Sequence, residues 1–209
     1  MQSIIRSCAR LAGLALLTFS LLGAGMAGAA DDPAVARIQT FYATLLEVMK
    51  HAKQLGISGR YEKLTPAVRE TFDLPAMTRI AIGPPWTSLP PDQQTALVEA
   101  FSKMTFATYA SRFDGYSGER FEVEPAPETR GKNRIVKTKL VESDGKSTVL
   151  NYLMHETPAG WKAIDVYLSG TVSELATRRS EFGGVLKSGG APALVDNLRQ
   201  RMEKLMKGE

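Results

Sequence analysis

The chain has 209 residues, with 26 Lys and Arg against 22 Asp and Glu, a formal charge of +4 and one cysteine. So slight a positive balance makes no case for nucleic acid as a partner, and a lone thiol excludes an internal disulfide framework or a cysteine-built metal site. A chain of this length buries roughly 70% of its unfolded surface in one domain and needs neither metal nor disulfide to hold its core.

Residues 1–29 read as a secretory signal peptide. Arg6 and Arg10 form a short positive region, Leu11 to Gly25 is uncharged and mostly apolar, and Ala27-Gly28-Ala29 offers a small-residue cleavage site. An uncleaved anchor would need roughly twenty apolar residues, and no cysteine follows the run to carry a lipid. The expected product is exported and soluble, a single domain of residues 30–209. It has lost Cys8 and carries a charge of about +2, because Arg6 and Arg10 leave and no acid does.

Residues 33–55 place Val35, Ile38, Phe41, Tyr42, Leu45, Val48, Met49 and Leu55 at helical spacing, which predicts an amphipathic helix ended by Gly56-Ile57-Ser58-Gly59. A short second helix is expected with Thr65 as its N-cap and Pro66 at its first position. A third has Asp73 as cap, Pro75 in the first turn, Met77, Ile80 and Ile82 along it, and Gly83 as its stop. After a proline-rich connection around Trp86, Pro90 opens a long helix to about Phe113. Its stripe is Leu97, Phe101, Met104 and Tyr109, with Phe106 set to one side.

From Glu119 the period changes to that of strands: 119–126, 133–141, 147–156 and Trp161 to Leu168, with a hairpin turn at Asp144-Gly145. Short spacing leaves no room for parallel crossovers. Two helices, about 171–187 and 191–206, close the chain. The expected class is therefore α+β, an antiparallel sheet of about four strands packed with N-terminal and C-terminal helices. In the last two strands both faces are apolar. Leu150, Tyr152 and Met154 oppose Val149 and Leu153, and Ile164, Val166 and Leu168 oppose Trp161, Ala163 and Tyr167. Both faces therefore want cover, from helices or from an apolar ligand.

Candidate chemistry is sparse. His51 and His155, the two histidines, have no neighbours at metal-ligand spacing. Gly145-Lys146-Ser147-Thr148 lacks the earlier glycine of a phosphate loop, since Leu140 stands there. Gly115 to Glu119 falls short of a nucleophile elbow. Asp165 is the one serious group. An acid in an apolar strand could act as a general base on a small apolar substrate, or it could form an ion pair with Arg178 or Arg179 that ties the last strand to the following helix.

The segments 72–123, 160–182 and 189–199 together resemble the MlaC (toluene-tolerance) family of periplasmic lipid-binding proteins. The resemblance rests on Phe72-Asp73 and Trp86 before a helix with Gln93-Gln94 and Phe101, paired with Trp161, Asp165 to Gly170 and Arg179-Ser180-Glu181-Phe182 before Gly189-Gly190. It is closest to the hopanoid-associated HpnM branch. The resemblance implies an α+β fold enclosing an apolar cavity in the periplasm of a Gram-negative bacterium, with no catalytic residue, cofactor or metal. It also implies a cargo, hopanoid or phospholipid, shuttled between an inner-membrane transporter of RND or ABC type and an outer-membrane acceptor, with transient membrane proximity. Enclosing a lipid tail removes about 0.8 kcal/mol per CH₂ of exposure cost. The side chains expected to line such a cavity are Leu74, Met77, Ile80, Phe101, Met104, Tyr109, Tyr152, Met154, Ile164, Val166 and Leu168. Asp165 is then the structural partner of Arg178 and Arg179, and Lys137 or Lys139 could steer the carrier to anionic surfaces. The competing readings are a cupped-sheet enzyme with Asp165 as base, and an adaptor whose groove takes a partner's peptide.

Overall fold

The structure is a computed structural model that describes residues 32–208; the expected signal peptide lies outside the described residues. Four helices come first: α1 (Pro33–Lys50), α2 (Ala52–Thr71), α3 (Leu74–Ile82) and α4 (Pro91–Arg112). Seven strand segments follow, and then α5 (Glu174–Lys207), which loses helical geometry at Gly190 and is thus two helices meeting at a kink, broken where the sequence separates its two closing helices.

Asp32 starts α1, its carboxylate accepting from the N–H of Ala34 at 2.9 Å and from the Arg134 guanidinium. Burial would raise this carboxyl, but the charge and hydrogen bonds of Arg134 and Ala34 overcome it and hold it below its ordinary range. The expected stripe from Val35 to Met49 is buried. A first break falls at His51, and helical geometry is lost again at Gly56 (φ 59°, ψ −177°), where the sequence places the stop, so α2 is two helical pieces meeting at a kink. That backbone region is essentially open only to glycine. Thr65 is not a cap: its hydroxyl donates to the carbonyl of Tyr61 at 2.7 Å, and Pro66 sits inside the helix. An interior proline costs about 3 kcal/mol, and here tertiary packing outweighs it. Leu64 and Val68 are fully buried, and buried Arg60 donates to the carbonyls of Ala110 at 2.7 Å and Ala52 at 3.0 Å. A guanidinium on the last carbonyls of α4 also meets the negative end of that helix.

Helix α3 follows the expected signals. Asp73 accepts from the N–H of Ala76, and Gly83 closes the helix at φ 73°. Phe106 proves to be core on a second face of α4, edge-on to Tyr61 at 6.0 Å and under Arg69 at 4.8 Å. Helix α4 is therefore covered on both sides.

The strands are β1 (Arg120–Val123), β2 (Glu128–Arg130), β3 (Asn133–Val136), β4 (Thr138–Val141), β5 (Ser147–Thr157), β6 (Gly160–Leu168) and β7 (Val172–Ser173). Segments β3 and β4 pair with β5 in one register, from Arg134↔Met154 to Val141↔Ser147, so they are one strand interrupted at Lys137. On their outer edge lie β1 and β2, separated by the stretch holding Pro125 and Pro127, which have no N–H for the ladder. The seven segments thus form a four-rung antiparallel meander with β7 added beyond β6.

One irregularity changes which residues share a face. Leu153 pairs with Asp165 but Met154 pairs with Ala163, leaving Ile164 as an extra, bulged residue. Because the side-chain period is two, the bulge brings Trp161 and Ala163 onto the same face as Val166 and Leu168. Ile164, expected beside Val166 and Leu168, drops out of that set. Beside the bulge the chain segment between α2 and α3 joins the strand, with Phe72 bridging to Ala163 and the Asp73 N–H donating to the Ala163 carbonyl at 2.9 Å.

Candidate functional site

An apolar cavity lies between the inner face of the sheet and the helices α3, α4 and α5. Helix α4 contributes Phe101, Met104, Thr105, Thr108, Tyr109 and Arg112, one continuous helical face. Met77 comes from α3, Leu150 and Tyr152 from β5, Val166 and Leu168 from β6, and Glu174, Leu175 and Arg178 from the start of α5. Phe72 and Phe113 complete the wall. The cavity has room for about 130 Å³ and is partly open; its empty space is about 790 Å³ when adjoining solvent is included. Larger hollows of about 450 and 510 Å³ lie along α4, but they are open and bordered by charged side chains such as Arg69 and Lys162 or Lys103.

Of the side chains expected on the wall, Met77, Phe101, Met104, Tyr109, Tyr152, Val166 and Leu168 are there. Leu74, Ile80, Met154 and Ile164 are not. Leu74 borders one of the open hollows, and Met154 is fully enclosed core. Ile80 is half-buried, with its carbonyl taken by Arg179, and Ile164 is displaced by the bulge. Sequence reasoning missed Phe72, Leu150, Phe113, Leu175 and the polar members of the wall. The positions of Thr105, Thr108 and Arg112, three, four and seven residues apart from cavity neighbours on α4, are the signal that could have found three of them.

The floor is aromatic. Tyr109 meets Phe41 edge-on at 5.4 Å and stacks on Phe113 at 5.8 Å, while Tyr42 stacks on Phe121 at 4.1 Å. The hydroxyl of Tyr42 bonds those of Thr138 at 2.6 Å and Tyr152 at 3.0 Å, and Thr138 also bonds the carbonyl of Leu150. Burial pushes the Tyr42 phenol up to about 12 and raises those of Tyr109 and Tyr152 well above their ordinary value. These phenols stay neutral at physiological pH, so the charges on the wall are confined to Arg112, Glu174 and Arg178.

Asp165 is buried and is not part of the cavity wall. The expected ion pair with Arg178 or Arg179 is absent. One carboxylate oxygen accepts from the N–H groups of Val166 at 2.8 Å and Leu175 at 3.2 Å, and the other from the Ser173 hydroxyl at 2.5 Å. Ser173 in turn caps α5 by accepting from Ala176 at 2.9 Å. The carboxylate is a brace, as the second reading held, but it fastens β6 to the N-terminus of α5, where orphan N–H groups and the helix dipole favour an anion. Arg178 lies 3.8 Å from both Glu174 and Glu181. Arg179 donates from Nε and Nη2 to the carbonyl of Ile80, at 2.9 and 2.6 Å, tying α5 to the last turn of α3.

His155 bonds Asp73 through Nε2 at 2.9 Å, and His51 sits beside Glu47. Among the described residues no group of His, Cys, Asp and Glu is arranged to hold a metal ion, and no helix is long and apolar enough to cross a membrane. Lys137 pairs with Glu128 at 3.1 Å on the outer edge of the sheet, away from the cavity wall.

Residues 39–200 match the MlaC protein family. Among solved structures, the fold is similar to that of a phospholipid-binding protein from Ralstonia solanacearum in complex with a phospholipid. The TM-score is 0.73 at 23% identity, over 83% of this chain and 99% of that one. At that identity the likeness is one of fold. No protein in the curated set matches the sequence significantly.

Proposed function

The chain belongs to the MlaC protein family, and on that premise we propose that it is a lipid carrier that binds one apolar lipid non-covalently and catalyses nothing. The observation that carries this reading is the cavity. It is lined by aromatic rings, methionines and branched aliphatics, and its charged groups, Arg112, Glu174 and Arg178, all keep some exposure to solvent. That division suits a molecule with a long apolar part and a polar end. The phospholipid in the Ralstonia protein of the same fold supports the same cargo class.

The cargo in this reading is a phospholipid or a hopanoid. The carrier works in the periplasm, between an inner-membrane transporter of RND or ABC type and an outer-membrane acceptor. Room near 130 Å³ is comparable to a cavity that takes one benzene-sized molecule, so loading a whole tail requires the wall to move. Met77 and Met104 are flexible parts of that wall. Helix α5 also has a built-in bend at Gly190 (φ 66°, ψ −165°).

The test is transfer of a fluorescent phospholipid between donor and acceptor vesicles. A carrier raises the transfer rate in proportion to its concentration and leaves the lipid chemically unchanged. No acceleration, or conversion of the lipid into a product, contradicts the proposal.

A further inference from the structure

We propose that Arg178, with Arg112, holds an anionic phosphate on the headgroup of the bound lipid, so that the cavity selects lipids with a charged head over uncharged ones of the same tails. This rests on the carrier reading above and narrows its cargo.

The argument begins with how the arginines of the described residues spend their N–H groups. Arg60 gives two to carbonyls at 2.7 and 3.0 Å, Arg179 gives two to Ile80, and Arg134 bonds Asp32 and lies over the Trp161 ring at 4.4 Å. Arg178, like Arg37, has carboxylate oxygens no nearer than 3.8 Å, but of the two only Arg178 borders the cavity. Its side chain is 19% exposed, comparable to a structural arginine, yet its nearest carboxylate oxygens are 3.8 Å away, beyond hydrogen-bond reach. Among the described residues it makes no hydrogen bond. A partly buried guanidinium with two ion pairs at 3.8 Å and no hydrogen bond keeps its donors available, and it borders an apolar cavity. An acceptor arriving with the ligand would take those donors.

Arg112 borders the same cavity from the end of α4, more exposed and likewise without a hydrogen bond among the described residues. Arg112 and Glu174 both act on the phenol of Tyr109, in opposite directions, which places both charges within electrostatic reach of the cavity interior. The wall carries Arg112, Arg178 and Glu174, and Glu181 stands as near to Arg178 as Glu174 does, so a phosphate would compete with two carboxylates held no closer than 3.8 Å. Guanidinium forks fit phosphate oxygens in pairs. The two threonines of the wall cannot substitute. Thr105 donates to the carbonyl of Phe101 and Thr108 to that of Met104, both at 2.8 Å, so each presents only lone pairs. They suit a glycerol hydroxyl, and the phosphate is left to the arginines.

The test compares dioctanoyl phosphatidylglycerol with dioctanoylglycerol, equal in tails and different in charge, by calorimetric titration of the purified protein. The phosphatidylglycerol should bind at least tenfold tighter. Arg178→Gln should weaken phosphatidylglycerol binding far more than dioctanoylglycerol binding and so remove most of that difference, with an unchanged urea midpoint showing that the variant is folded. Arg178→Lys should recover part of it, because an ammonium keeps the charge and loses the fork. Equal binding of the two lipids by the wild type, or an equal loss of both in Arg178→Gln, overturns this inference alone. Failure of both lipids to bind overturns the carrier reading and this inference with it. Inorganic phosphate alone serves as a further arm: if it binds as tightly as phosphatidylglycerol, and through Arg178, the site is one for free anions and the headgroup assignment is wrong.

Discussion

Asp165→Ala is expected to destabilise the protein by about 2–4 kcal/mol, measured by urea unfolding. The buried carboxylate takes the Ser173 hydroxyl and the N–H of Leu175, and Leu175 is itself buried. Removing the carboxylate leaves that N–H without an acceptor and frees the side chain that caps α5. Asp165→Asn should cost less, since its amide oxygen can still accept from Leu175. In both variants lipid uptake should persist in the folded fraction, because Asp165 is not on the cavity wall. An enzyme using Asp165 as base would behave in the opposite way, keeping its stability and losing turnover in Asp165→Asn. If both variants unfold at the wild-type urea concentration, the fastening account is wrong.

Val166→Trp carries the second large effect. Val166 is half-buried, pairs across β5 with Tyr152, and borders the cavity of about 130 Å³. An indole there grows into a void rather than into packed core, so the stability change should stay within about 1 kcal/mol. It occupies much of the space a tail would use, and lipid uptake from vesicles should fall by more than tenfold. Val149→Trp, on the opposite face of the same sheet, is the matched control and should leave uptake unaltered. Equal uptake by Val166→Trp and wild type would place the lipid somewhere other than this cavity.

Much of the framework was legible because its signals are local. Asp73 with Pro75 and Gly83 marks both ends of α3, Pro90 with Pro91 the start of α4, and Asp144-Gly145 the turn before β5. Each works through backbone chemistry within a few residues. The failures lie where a distant partner decides. Pro66 signals a helix start on its own, and only the packing of Leu64 and Val68 carries the helix through it. The bulge at Ile164 sits where Phe72 and Asp73, some ninety residues earlier, join the strand; no run of alternating residues records it. It removed Ile164 from the wall and brought Trp161 and Ala163 to the inner face.

The acid and its arginines show the same limit. Composition reveals charges of opposite sign near one another, and pairing them is the natural reading. A folded helix end also offers N–H donors that no residue letter displays, and Asp165 took those instead. Arg179 found a backbone carbonyl on α3, and Arg178 was left bordering the cavity. The residue expected to be a brace thus became the strongest candidate for contact with a ligand.

Native mass spectrometry of the purified protein, before and after organic extraction, tests the central claim most directly. The account predicts an added mass of one lipid, removed by extraction and restored by incubation with phospholipid vesicles, with the restored adduct missing in Val166→Trp. A single unadorned protein mass that no lipid ever shifts would contradict it.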